Sequence, residues 1–128
     1  MKTEINEMSI NGITYVPKDS VNEGNAKVST DGLHYVMIRT YSAGVHIGYL
    51  KAKEYTLSGI VVQLVNTRRI YSWKGAASLS QLANEGSKQQ SDCKITIEIP
   101  SNEMVAIEII EVSEIAFENL KGVAEWKM

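Results

Sequence analysis

The sequence predicts an α+β domain: a mostly antiparallel curled sheet or small open barrel, two short helices and an N-terminal β-hairpin extension. Three observations carry this expectation. Short β-branched and aromatic runs recur between Gly, Asn and Ser turns along most of the chain. Paired helix start and stop signals stand out in only two places, around Ser78 to Gly86 and around Ser113 to Gly122. There is no alternation of strands with long helical segments and no internal repeat, which disfavours a doubly wound parallel sheet.

In chain order, Ser9-Ile10-Asn11-Gly12-Ile13-Thr14-Tyr15-Val16 sets Asn-Gly between β-prone segments, a hairpin signal because both residues tolerate positive φ. Pro17 ends the hairpin, and residues 18–27 read as a polar linker or a short weak helix. An isolated hairpin is marginal in water, so this one is expected to dock on the main domain or on another subunit. The resulting division is 1–30 as hairpin extension and linker and 31–128 as one α+β domain.

The main domain begins at the Asp31-Gly32 turn. Leu33 to Tyr41 and Val45 to Leu50 read as strands joined by the small residues Ser42-Ala43-Gly44. Ile60 to Val65 is an apolar, β-branched run suited to a buried strand, and Asn66-Thr67 is expected to turn into a further strand, Arg68 to Trp73. Lys94 to Ile99 alternates, with the isoleucines on one face, and Pro100 is expected to stop it. Met104 to Val112 reads as the last long strand, with Val105, Ile107 and Ile109 sharing a face opposite Ala106, Glu108 and Ile110. The first helix, 78–85, opens on Ser78 with Gln81 three residues on, a capping box, and closes on Gly86 in the left-handed region; Ser113 caps the second, 113–121, with Gly122 as its stop.

The composition narrows the function classes. With 128 residues, 44% of them hydrophobic, the chain suits one cored domain. A net charge of −2 supplies no global field for nucleic acid, so general DNA binding is not expected and any anion site must rest on a local cluster. The single cysteine, Cys93, cannot form an internal disulfide and fits a reducing compartment. The start of the chain lacks the apolar core of a signal peptide and no apolar run approaches the ~20 residues of a membrane span, so no membrane association is expected.

No motif assembles a catalytic or metal site. His34 and His46, the only histidines, have no ligand-spaced partner; His46 between Val45 and Ile47 reads as a satisfied or surface strand histidine. Cys93 has no base beside it and reads as structural. Glu98, Glu103, Glu108, Glu111, Glu114 and Glu118 read as solvated strand and helix faces. Hence no enzyme, no cofactor and no metal are expected.

The segment from Arg68 to Ser78 is the candidate site, a basic aromatic strand running into a capped helix. Alternation places Arg69, Tyr71 and Trp73 on one face and Arg68, Ile70 and Ser72 on the other. In one arrangement Tyr71 and Trp73 fill the core while Arg68 stays in water and the stem of Arg69 reaches outward. In the other, Arg69, Tyr71 and Trp73 hold a ring while phosphates meet Lys74, Gly75 and the N–H groups at the helix start behind Ser78, making these six residues a site for an anionic nucleotide-like molecule.

The blocks Tyr35 to Leu50, containing Tyr41-Ser42-Ala43-Gly44, and Arg68 to Ala83, containing Gly75-Ala76-Ala77-Ser78-Leu79-Ser80-Gln81-Leu82-Ala83, resemble the two hallmark segments of a family of small tailed-phage proteins of unknown function. With Cys93-Lys94 and Val123-Ala124-Glu125-Trp126 the resemblance spans about residues 33 to 127. Ile10 to Ser20 is similar to a short leader found on varied phage proteins, and Lys51 to Val65 is longer and more apolar than the family pattern. The resemblance implies a phage accessory or virion protein and supplies no catalytic residues. Two functions are expected from it: a non-enzymatic counter-defence module sequestering a nucleotide-like signal in the host cytoplasm, or a virion decoration protein or inhibitor of a host protein. A homo-oligomer is expected in either case, since the hairpin and an open sheet edge need covering.

Overall fold

Strand β1, Tyr35–Arg39, is buried on both faces up to its last residue. In this computed structural model, which describes residues 26–127, it is followed by β2 (Val45–Thr56), β3 (Gly59–Ser72), α1 (Leu79–Glu85), a 3-10 turn (Gln90–Asp92), β4 (Lys94–Ile95), β5 (Ile99–Ala106), β6 (Glu108–Glu111) and α2 (Glu114–Lys121). The expected hairpin around Asn11-Gly12 lies outside the described residues. Ala26 and Val28, at the end of the expected extension, form bridges with Ser113 and His34, so main-domain pairing reaches back past the Asp31-Gly32 turn.

The sheet is antiparallel throughout, in the order β4-β3-β2-β1-β6, with β5 also paired to β3. Only Ile107 separates β5 from β6, yet β5 pairs with β3 and β6 with β1. That bend curls the sheet into a half-barrel, as the turn-rich sequence predicts. Val36, Ile38, Val62, Leu64 and Ala106 fill its inside, with Leu50, Ile60, Met104 and Ile109 around them. The other face of β1, through Tyr35 and Met37, packs with Ile47, Ile70 and Ile95 beneath the helices, whose Leu82, Ala83, Ala116 and Leu120 close a second apolar cluster.

Both helices start where the sequence places their caps. Ser78 Oγ accepts the Gln81 N–H at 3.1 Å, and Ser113 Oγ accepts the Ala116 N–H at 3.0 Å. Gln81 reaches back to the Ala77 N–H at 2.8 Å, one residue before the position a capping box would use. Gly86 ends α1 at φ 80°. Asn119 then ties the two helices together: its Oδ1 accepts the Ser87 N–H and its Nδ2 donates to Ser87 O, both at 2.8 Å.

Three strand expectations are corrected. First, Asn66-Thr67 does not turn: β3 is one strand of 14 residues that bulges there, with Asn66 at φ 49°. The register steps from Ile47↔Arg68 to Tyr49↔Val65, so Gly48 faces two residues of β3. A Cβ on Gly48 would sit 2.8 Å from Thr67 Cβ, so the absence of a side chain lets β3 continue past the bulge. Secondly, the strand expected over 94–99 ends at Ile95, and β5 begins at Ile99 and runs through Pro100. On the same edge of β3, β5 pairs from Ile60 through the bulge to Thr67 and β4 pairs with Ile70 and Ser72, so the chain must step across between them. Ile95 is fully buried while Ile97 and Ile99 are exposed, and Pro100 is tolerated because among the described residues β5 pairs on one side only. Thirdly, the strand expected over 104–112 is broken at Ile107, which leaves Val105 and Ile107 outward and Ile109 beside the inner cluster.

Candidate functional site

The alternation holds from Arg68 to Tyr71, with inside and outside the reverse of the arrangement with a solvated Arg68, and fails at Trp73, which follows a register shift after Ile70 and packs on the same side as Ile70. Arg68 and Ile70 are buried, at 8% and 3% exposure, while Arg69 is exposed and Tyr71 is 64% exposed. Tyr71 stacks on Trp126 with ring centroids 4.8 Å apart, and Lys94 Nζ lies 5.4 Å from the Trp126 centroid. Trp73 is half-buried against the helix-side cluster, its Nε1–H donating to Ala76 O at 3.3 Å. Lys74 is exposed, and its carbonyl accepts the Ser87 hydroxyl. Gly75 stands against the backbone of residues 88 and 89. At the start of α1, the Ala77 and Gln81 N–H groups are taken by the Gln81 and Ser78 side chains. Arg69, Tyr71, Trp73, Lys74, Gly75 and Ser78 thus follow the chain in order without gathering round one cleft.

A different cleft, of about 350 Å³, opens where α2 leans over the β3 bulge. Tyr35 forms its floor, 94% buried by its 6% exposure, with its ring edge-on to Tyr49 (centroids 4.9 Å apart) and to Phe117 (4.7 Å). Phe117 falls there because α2 buries Ala116 and Leu120, which leaves the neighbouring Phe117 at the rim of the buried stripe. Lys27 Nζ lies 4.5 Å from the Phe117 centroid and Lys121 Nζ 5.7 Å. Tyr35's hydroxyl has no hydrogen-bond partner among the described residues, and burial, with Glu98 adding to it and Arg68 opposing, pushes its pKa well above the ordinary 10.0.

Arg68 makes the wall between floor and rim. Its Nε donates to Thr96 O at 2.7 Å, Nη2 to Val123 O at 3.1 Å and Ile95 O at 3.2 Å, and Nη1 to Leu120 O at 3.4 Å. Those four bonds use four of the five guanidinium N–H groups. Among the described residues Arg68 has no carboxylate within ion-pair distance, so a cation is held beside the cleft by neutral carbonyls alone.

The chain matches the family described as a domain of unknown function, DUF6948, over residues 33–120. It belongs to that family. Comparison with curated proteins and with solved structures gives no match. The DUF6948 region runs from just before β1 to the end of α2, so it includes Tyr35, Tyr49, Arg68, Glu98 and Phe117 of the cleft and stops one residue before Lys121.

Elsewhere in the DUF6948 region the titratable groups are satisfied or solvated. His46 is buried, its Nε2 2.9 Å from Ala43 O, as a satisfied strand histidine requires. Cys93 is buried with Sγ 3.3 Å from Ser87 Oγ. Arg39 pairs with Glu108 and His34 with Glu111 at the surface. Among the described residues no group of three or more His, Cys, Asp or Glu is placed to hold a metal, and no helix is long and apolar enough to cross a membrane.

His46 makes stability depend on pH. Burial lowers its pKa below the ordinary 6.5, against the Ala43 hydrogen bond and with a smaller push from Arg69. The unfolded chain therefore binds a proton that the folded chain refuses, so the His46 contribution is fully present above pH 6.5 and is lost as pH falls from 6.5 through the lowered folded pKa. Urea titrations at pH 7.5 and 5 will show a larger acid-side loss for the native chain than for His46→Gln; equal losses would refute it.

Proposed function

We propose that this DUF6948 protein is a non-enzymatic accessory protein of tailed phage that binds and sequesters a small nucleotide-like anion in the host cytoplasm, countering a signal-based defence. Arg68 is the observation that carries the proposal. A guanidinium without a carboxylate partner among the described residues, beside an aromatic-walled cleft, favours an anion with a flat ring. Sequestration asks only for tight binding, which matches a site rich in donors and aromatic surface. The resemblance of Tyr41-Ser42-Ala43-Gly44 and Gly75 to Ala83 to phage sequences supplies the setting.

A thermal-shift screen against cyclic and linear nucleotides, cyclic ADP-ribose derivatives and phosphate tests it. A ligand at a hundred times its dissociation constant stabilises the fold by about 2.7 kcal/mol, a shift readily seen in a domain of this size. No shift with any of them would overturn the proposal.

A second reading, an interaction protein of the virion or an inhibitor of a host protein, is favoured by the apolar residues outside the half-barrel. Ile97, Ile99, Val105 and Ile107 are 52%, 39%, 41% and 51% exposed, and among the described residues the outer edge of β5 pairs with nothing. On this reading the protein is found in purified virions; on the sequestering reading it is absent from them. Either function is compatible with self-association through that edge, and light scattering is expected to give a dimer or larger; a concentration-independent monomer mass would exclude it.

A further inference from the structure

We infer that the cleft over Tyr35 is the site of that anion, and that it takes a single mononucleotide-sized ligand whose ring lies on the Tyr49–Phe117 wall, whose phosphate meets Arg68 and Lys121, and whose ring edge accepts the Tyr35 hydroxyl. The assignment rests on the nucleotide-binding reading above and specifies where the ligand sits and how large it is.

Two buried polar groups at the cleft have unused bonding capacity among the described residues: the Tyr35 hydroxyl, in a residue 6% exposed, and one Nη1–H of Arg68, in a residue 8% exposed. A phenol donor without a partner is costly where it is buried, and an acceptor on a ring edge satisfies it. The four carbonyls fix the guanidinium before any ligand arrives, so little freedom is lost when an anion docks. Lys121, on the last turn of α2, supplies a second cation at the rim. The Tyr49 and Phe117 rings stand 6.2 Å apart and inclined by 51°, too close and too tilted to sandwich a ring, so together they offer one wall. A volume of about 350 Å³ lies near the bottom of the range of about 300–1,000 Å³ that holds small ligands, which suits one nucleotide and leaves no room for two. Glu98 and Glu125 also line the cleft and set two carboxylates against its two cations, so a ligand of low negative charge is favoured over one with further phosphates.

The experiment is calorimetry and thermal shift on the full chain with adenosine 5′-monophosphate, 3′,5′-cyclic AMP, uridine 5′-monophosphate, cyclic di-AMP, adenosine and inorganic phosphate. At least one mononucleotide is expected to bind, with adenosine and phosphate each at least about tenfold weaker and cyclic di-AMP not binding. Tyr35→Phe is expected to weaken the mononucleotide about tenfold, leave weak phosphate binding unchanged and leave Tm equal or raised, because it removes a buried group without a partner. A hydroxyl with a merely structural bond would instead lower Tm. Lys121→Ala is expected to weaken mononucleotide and phosphate alike with the fold intact. If a mononucleotide binds and both variants retain full affinity, or if only cyclic di-AMP binds, this assignment is overturned while the nucleotide-binding reading stands. If no mononucleotide binds the native chain this assignment falls, and if cyclic di-AMP and cyclic ADP-ribose derivatives also fail to bind, the nucleotide-binding reading falls with it.

Discussion

Arg68→Ala will destabilise the protein by about 3 kcal/mol, a large share of the roughly 5–15 kcal/mol that holds a domain of this kind folded. Of the four carbonyls Arg68 serves, Ile95 O also accepts the Trp126 N–H and Leu120 O the Val123 N–H, but Thr96 O and Val123 O have no other donor among the described residues. Each orphaned buried carbonyl costs about 1–3 kcal/mol, so the two together cost about 2–6 kcal/mol, and water entering from the open cleft holds the sum in the lower half of that range. The loss is concentrated because one side chain joins β3 to the chain beyond β4 and to the chain after α2. Arg68→Lys will recover part of it: an ammonium keeps the charge, yet its three donors radiate from one atom and cannot span four carbonyls. Urea midpoints measure both variants. A loss below about 1 kcal/mol for Arg68→Ala would mean that water replaces the guanidinium without strain, and that the clamp is not a structural element.

The parts of the fold legible in the sequence are those encoded within a few residues. Ser78 and Ser113 cap helices where their neighbours say they should, Gly86 takes positive φ, and the two-residue alternation separates Arg68 from Arg69 correctly. What local reading misses is decided across the sheet. Asn66-Thr67 reads as a turn because both residues favour one, whereas β3 runs on because Gly48, far away on β2, makes room for the bulge. Lys94 to Ile99 reads as one strand because its isoleucines alternate, whereas β3 offers one edge in two offset pieces and the chain has to step between them.

The candidate site follows the same division. Alternation alone cannot say which face of a strand is inside; that is set by the carbonyls of Thr96 and Val123, which reach Arg68 from segments remote in the chain. Tyr35, Tyr49 and Phe117 come from β1, β2 and α2, and no spacing in the sequence joins them. One signal was present: an arginine sharing a strand face with Ile70 must either leave the core or be pinned within it, and the second alternative places a fixed cation beside whatever cavity adjoins. His46 shows the same rule in a simpler form, since a short reach to Ala43 O satisfies it locally.

Gly75→Ala is expected to destabilise the protein by about 2–5 kcal/mol, and Gly32→Ala by only about 1–2 kcal/mol. Both glycines sit in the left-handed region, at φ 84° and 86°, so an alanine carries the same backbone cost of about 1–2 kcal/mol at each. The surroundings differ. A Cβ on Gly32 meets nothing within 4 Å, whereas on Gly75 it would lie 2.5 Å from Gln89 N and 2.7 Å from Lys88 N. Those are backbone atoms, anchored by Lys88 N–H to Gly75 O at 3.2 Å and by the Ser87 hydroxyl, which accepts the Gln89 N–H at 2.9 Å and donates to Lys74 O. They cannot rotate away as a side-chain tip can, so overpacking adds a further ~1–3 kcal/mol. The difference between the two variants isolates that steric part, because the φ contribution cancels. It also discriminates between two reasons for a glycine after Lys74: room for a phosphate, or room for the chain returning from α1. If Gly75→Ala costs no more than Gly32→Ala in urea denaturation, the space beside Gly75 is open and the phosphate-cradling role for Lys74 and Gly75 revives. A difference of ~1 kcal/mol or more assigns that space to residues 88 and 89 and leaves the cleft over Tyr35 as the place for an anion.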